Sequence, residues 1–101
     1  MNNSIEWNYI QAKRQADKLE EQAEQIRRTA AGRMEEAIQT LSSSWEGRNA
    51  GICLGKAASL KGAVEDSSKT LLQTAEVIRI LAERTYQAEM RILEIARVRR
   101  Y

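Results

Sequence analysis

Proline, phenylalanine and histidine are missing from this 101-residue chain, cysteine occurs once, and aromatic residues make up only 5% of it. Each absence removes a class of answer. Without histidine there is no imidazole for acid–base work and no His pair to hold a zinc ion. The single cysteine, Cys53, forbids an internal disulfide and leaves the redox compartment open. The two signs of charge nearly balance: the net charge is +2, too small to imply a nucleic-acid partner. No run is apolar for long enough to span a membrane. The opening "MNNSIEWNYI" lacks the basic start and apolar stretch of a cleavable signal peptide, so export would follow a route that reads no conventional signal.

What remains favours a single kind of structure. Alanine, glutamate, glutamine, arginine, leucine and isoleucine dominate, and nearly all of them are good helix formers. The expectation is an all-α single domain. Much of its apolar content is alanine, so the core is thin, and small domains with thin cores call for a partner.

The first helix is expected over about residues 4–44, with Asn3 or Ser4 as N-cap and Glu6 in the first turn. Small or apolar residues recur at Ile5, Tyr9, Ala12, Ala16, Leu19, Ala23, Ile26 and Ala30. The steps alternate between four and three, the period of a coiled-coil seam. The next step would land on Arg33. The seam moves instead to Met34, Ala37 and Leu41, which predicts a stutter that locally unwinds the supercoil.

The second helix is expected over about residues 50–99. From Cys53 the same alternation passes through Ala57, Leu60, Val64, Ser67, Leu71, Thr74, Ile78, Leu81, Thr85, Ala88, Ile92 and Ile95. None of these positions is charged, although 30% of the chain is. The small and hydroxylated members point to close helix approach, with Cys53 as a small buried hydrophobe.

Between the helices stands "SSSWEGRNAG", with a turn expected over about residues 45–49. Serine hydroxyls compete for backbone hydrogen bonds and weaken the end of the first helix. Gly47 suits the left-handed position that closes a helix, and Asn49 can cap the next. The implied architecture is an antiparallel two-helix hairpin with Trp45 plugging its closed end. Facing residues would pair Leu19 with Thr74 or Ala75, Tyr9 with Thr85, and Ile5 with Ala88 or Glu89. Apolar residues outside the seam (Ala31, Ile38, Leu72, Val77 and Ile80) widen the surface available for dimerisation.

A chain of about this length, with two long helices and a central Trp-x-Gly (here Trp45-Glu46-Gly47), resembles the WXG family of type VII secretion substrates. The resemblance covers essentially the whole chain in length and layout. It implies a helical hairpin that pairs as a homodimer or heterodimer into a four-helix bundle. It further implies export from Gram-positive bacteria through a membrane ATPase system, so the protein would be cytoplasmic before export and secreted without a cleaved signal. One departure matters. Many members, or their partners, carry Tyr-x-x-x-Asp/Glu after the second helix, whereas Tyr86-x-x-Glu89 is one residue short. The carboxylate is then displaced by about 100° around a helix. Either the signal is variant or the chain travels on a partner's signal. A related role is that of a small partner that chaperones or targets an LXG toxin, docking on the toxin's N-terminal domain.

Nothing points to an enzyme or a cofactor. Glu20/Glu21 and Glu35/Glu36 are adjacent in sequence and diverge around a helix. "GICLGKAAS" lacks the spacing and preceding strand of a phosphate loop. Gly51, Gly55 and Gly62 fall on one side of the second helix, either as a frayed start or as a close-packing face for a second hairpin. Arg91, Arg97, Arg99 and Arg100 suit a helix C-terminus and have no aromatic platform for nucleic acid. Beyond about Met90 the first helix has no residues left to cover the second. Ile92, Leu93, Ile95, Ala96 and Val98 nonetheless continue the apolar pattern. With Tyr86 and Glu89 at its base and Trp7 nearby, this overhang is a candidate export or docking element. The expected function is that of a small secreted substrate or targeting partner of a type VII system, acting through helix–helix contacts. The alternative is a soluble helical adaptor or chaperone with no export role.

Overall fold

The computed structural model describes residues 2–99, with side chains from residue 4 onward. Among them the chain is all-α. Helix α1 spans Asn2–Gln25, a π-helical turn spans Ile26–Ala31, α2 spans Gly32–Ser44 and α3 spans Arg48–Arg99. Arg100 lies outside the described residues. Because α1 already begins at Asn2, Asn3 and Ser4 are inside the helix rather than capping it, and Glu6 falls beyond the first turn.

Two compact units form. One joins the N-terminal segment up to Leu19 to the segment from Gln73 on; the other is Glu20–Leu72. In the first, Tyr9 bonds to Glu83 and Asp17 pairs with Arg79, so the two helical segments run in opposite directions. Tyr9 also stacks on Tyr86, which brackets the expected Tyr9–Thr85 register within a residue or two. In the second unit Ala23 meets Ser68 and Glu35 meets Lys61, again antiparallel.

Among the described residues the fully buried side chains are all small: Ala16, Ala23, Ala31, Ala50, Ala75 and Ser68. A buried methyl contributes only about 0.8 kcal/mol, so closeness has to substitute for bulk. Ser68 shows how close the helices come. Its Oγ donates to the backbone carbonyl of Ala23 on the facing helix at 2.8 Å, which requires axes near the short end of the usual range of about 8–10 Å.

On the N-terminal side the expected seam holds from Ile5 to Ile26, every member being buried or half-buried. It then advances by five residues, to Ala31, which is buried, while Ala30 is exposed. A π turn is hydrogen-bonded over five residues and inserts one extra residue into an α-helix, which turns a four-residue step into five, and one lies there. The irregularity therefore takes the form of one extra residue absorbed by a widened turn, not an unwound supercoil. The apolar face resumes at Met34 and Ile38, whereas Ala37 and Leu41 are exposed.

On α3 the covered row differs from the expected one by a single residue on half of its positions. Leu54, Ala57, Lys61, Val64, Ser68, Leu71, Ala75, Ile78 and Ala82 are buried or half-buried. Ala57, Val64, Leu71 and Ile78 match the expected seam; Cys53, Leu60, Ser67, Thr74, Leu81, Thr85 and Ala88 are instead exposed. Of the apolar residues expected on the outer surface, Ala31 is buried and Ile38 and Leu72 half-buried, while Val77 and Ile80 do face outward.

Candidate interaction surfaces

The break between α2 and α3 is shorter than expected, only residues 45–47. Ser42 Oγ donates to the Gln39 carbonyl, and Ser43 and Ser44 both donate to that of Thr40, at 2.8–3.0 Å. The serines thus engage carbonyls of the closing turns, as their chemistry suggests. Trp45 leaves the helix with φ −124° and ψ 120°, its N–H donating to the Leu41 carbonyl at 2.8 Å. Gly47 has φ +109°, which a residue with a Cβ adopts only at a cost. Its carbonyl accepts from the Gly51 N–H at 3.1 Å, so Gly47, not Asn49, caps α3. Trp45 remains 42% exposed and is not a buried plug.

The second surface lies in the unit that joins the segment up to Leu19 to the segment from Gln73 on. Tyr9 and Tyr86 stack with ring centroids 4.6 Å apart, and the Lys13 ammonium sits 5.2 Å from the Tyr9 ring centroid, within cation–π range. The Tyr9 hydroxyl donates to Glu83 Oε2 at 2.5 Å. That bond raises the Tyr9 pKa above its ordinary value and lowers that of Glu83, which also accepts from Gln87. Beside this cluster runs an apolar groove of about 370 Å³, lined by Ile5, Asn8, Tyr9, Ala12, Ile78, Leu81, Ala82, Thr85, Tyr86 and Glu89. Tyr86 and Glu89, singled out as an export element, therefore share one groove wall. Tyr86 is engaged in a ring stack, and Glu89 is half-buried.

The C-terminal part of α3 is as uncovered as its pattern implied. Ile92, Ile95 and Val98 are 66%, 53% and 62% exposed; Ala96 is exposed, and Leu93 alone of that group is half-buried. Trp7 is 61% exposed. A methyl group added at Gly51, Gly55 or Gly62 would meet nothing within 4 Å, so no neighbour in this chain uses them for close packing.

A further cavity of about 460 Å³ borders the π turn, lined by Gln22, Gln25, Ile26, Thr29, Ala30 and Arg33. The sequence marked this region only as a break in the seam. Among the described residues no group of side chains could hold a metal ion, and no helix is long and apolar enough to cross a membrane. Compared with known protein families, curated proteins and solved structures, the chain has no significant match.

Proposed function

We propose that this chain is a non-enzymatic helix-pairing protein, a hairpin that joins a second hairpin in a four-helix bundle. In this reading it serves as a substrate or targeting partner of a type VII secretion system. The observation that carries the pairing lies on the C-terminal part of α3, where an uncharged row through Leu81, Ala88, Ile92 and Ile95 is left open. Contiguous open apolar surface of this kind marks interaction sites. The link to secretion rests on Trp45-Glu46-Gly47 at the break between two helical stretches, with Gly47 in the conformation that glycine alone adopts without strain. The secretion ATPase and an LXG toxin's N-terminal domain are then its candidate partners, and the protein is cytoplasmic until exported.

The test is export itself. An epitope-tagged chain, expressed in a Gram-positive host with a type VII ATPase, is expected in the medium and to stay in the cells when the ATPase gene is deleted. Retention in both strains would leave the alternative of an adaptor or chaperone with no export role. That alternative draws on one observation: Tyr86 is held against Tyr9 and stands one residue too near Glu89. Trp45→Ala sharpens the test. Because Trp45 is 42% exposed, its truncation should cost well under the roughly 3–5 kcal/mol of a buried aromatic, yet abolish export or pairing. Loss of function merely in proportion to unfolding would reduce Trp45 to a structural residue.

A further inference from the structure

The open stripe on the C-terminal part of α3 has two chemically different edges. Leu81, Thr85, Ala88, Ile92 and Ile95 follow one another in steps of four and three, and all are exposed. At about 100° per residue, Arg84 and Arg91 flank the stripe on one side. Glu89, between Ala82 and Ala96, flanks it on the other. Neither Arg84 nor Glu89 has an ion-pair partner among the described residues.

We propose that this stripe pairs with the same stripe of a second copy of the chain, α3 beside α3 and running in the same direction. Arg84 of each copy would then reach Glu89 of the other. The proposal rests on the helix-pairing reading above and adds the partner, the face, the direction and the register.

Direction follows from the two edges. When two seams run parallel, a residue on one edge meets the residue five places further along on the opposite edge of its neighbour. That brings Arg84 to Glu89 of the second copy, and by symmetry the reverse. When the seams run antiparallel, each edge meets its own kind, and Arg84 would face Arg91 of the second copy. Charge complementarity therefore selects the parallel arrangement, with Ala88 at mid-stripe allowing close approach between Leu81 and Ile95.

Disulfide trapping of the full chain tests this. In a Cys53→Ser background, Leu81→Cys, Ala88→Cys and Ile95→Cys are made singly and oxidised mildly. A parallel seam places like residues opposite each other at all three levels, so each variant should form a disulfide dimer with itself. An antiparallel seam sets each of these positions against the other seam position of its partner, so none of the three would link efficiently to itself; that result in a protein that still dimerises overturns the proposal while leaving pairing intact. Wild-type protein that sediments as a folded monomer at micromolar concentration would overturn both. Charge exchange gives a readout free of cysteine. Glu89→Arg should weaken dimerisation about tenfold, and adding Arg84→Glu should restore it. Dimerisation unchanged in both single reversals, or not restored in the double variant, counts against the register.

Discussion

Two adjacent serines offer a sharp test of the packing. Ser68 is 2% exposed and donates from Oγ to the Ala23 carbonyl at 2.8 Å, while Ser67 is exposed one residue away. Leucine at position 68 must fit where two backbones already approach closely. Overpacking of that kind costs about 1–3 kcal/mol, and the lost hydrogen bond adds about 1 kcal/mol. Ser68→Leu should therefore destabilise by about 2–4 kcal/mol. A domain of this size loses about 4–8 °C of melting temperature per kcal/mol, so the drop should be about 10–30 °C. Ser68→Ala loses the hydrogen bond but regains helix propensity, for a net cost of about 0.5 kcal/mol. Ser67→Leu meets solvent and should stay within about 0.5 kcal/mol of the parent. Thermal melts followed by far-UV circular dichroism give the comparison, at one protein concentration because self-association shifts the midpoint. If Ser67→Leu proves as damaging as Ser68→Leu, or the order reverses, the covered row on α3 is the wrong one.

Removing Ala30 from the π turn should leave the protein helical with an unchanged or higher melting temperature, because the turn holds one residue more than an α-helix needs. Removing Lys18 from α1 should instead abolish the cooperative melt by rotating one half of the seam by about 100°. Gly47→Ala should destabilise by about 1 kcal/mol or more in urea titrations because of its positive φ, whereas Gly55→Ala, with open space around it, should stabilise by about 0.5–1 kcal/mol. Stability should also fall in acid. Glu35, bonded by Lys61 and Gln39, and Glu83, bonded by Tyr9 and Gln87, both have pKa values below the usual 4.5. Their contribution is complete above that value and is lost as pH falls through the lowered pKa. Tyr9 has the opposite sign: its pKa is raised, so its contribution holds below pH 10 and disappears as pH rises through the folded-state value. Urea midpoints from pH 2 to 11 should show both losses, and Tyr9→Phe should remove the alkaline one.

Composition and pattern alone determined the all-α class, the place of the break at Trp45-Glu46-Gly47, the N-terminal seam from Ile5 to Ile26, and the uncovered run at Ile92 and Ile95. These follow from local rules: helix propensity, the left-handed freedom of glycine, and a period of three and four residues. The same pattern located the irregularity near Ala30, but could not distinguish a stutter from a π turn, since both shift a seam and only backbone hydrogen bonding separates them. It also took the uncharged row through Leu60, Ser67 and Leu81 as the covered one. Absence of charge is a poor guide where the facing helix supplies counter-charges. Lys61 and Arg79 lie in or beside the covered row because their stems pack while their heads pair with Glu35 and Asp17 of the opposing segment. Those partners are remote in sequence, and only tertiary structure brings them into reach. In the Glu20–Leu72 unit the covered row of α3 is the one on which Ser68 is small enough to bring its helix within hydrogen-bond reach of the Ala23 carbonyl, and the neighbouring row is left over.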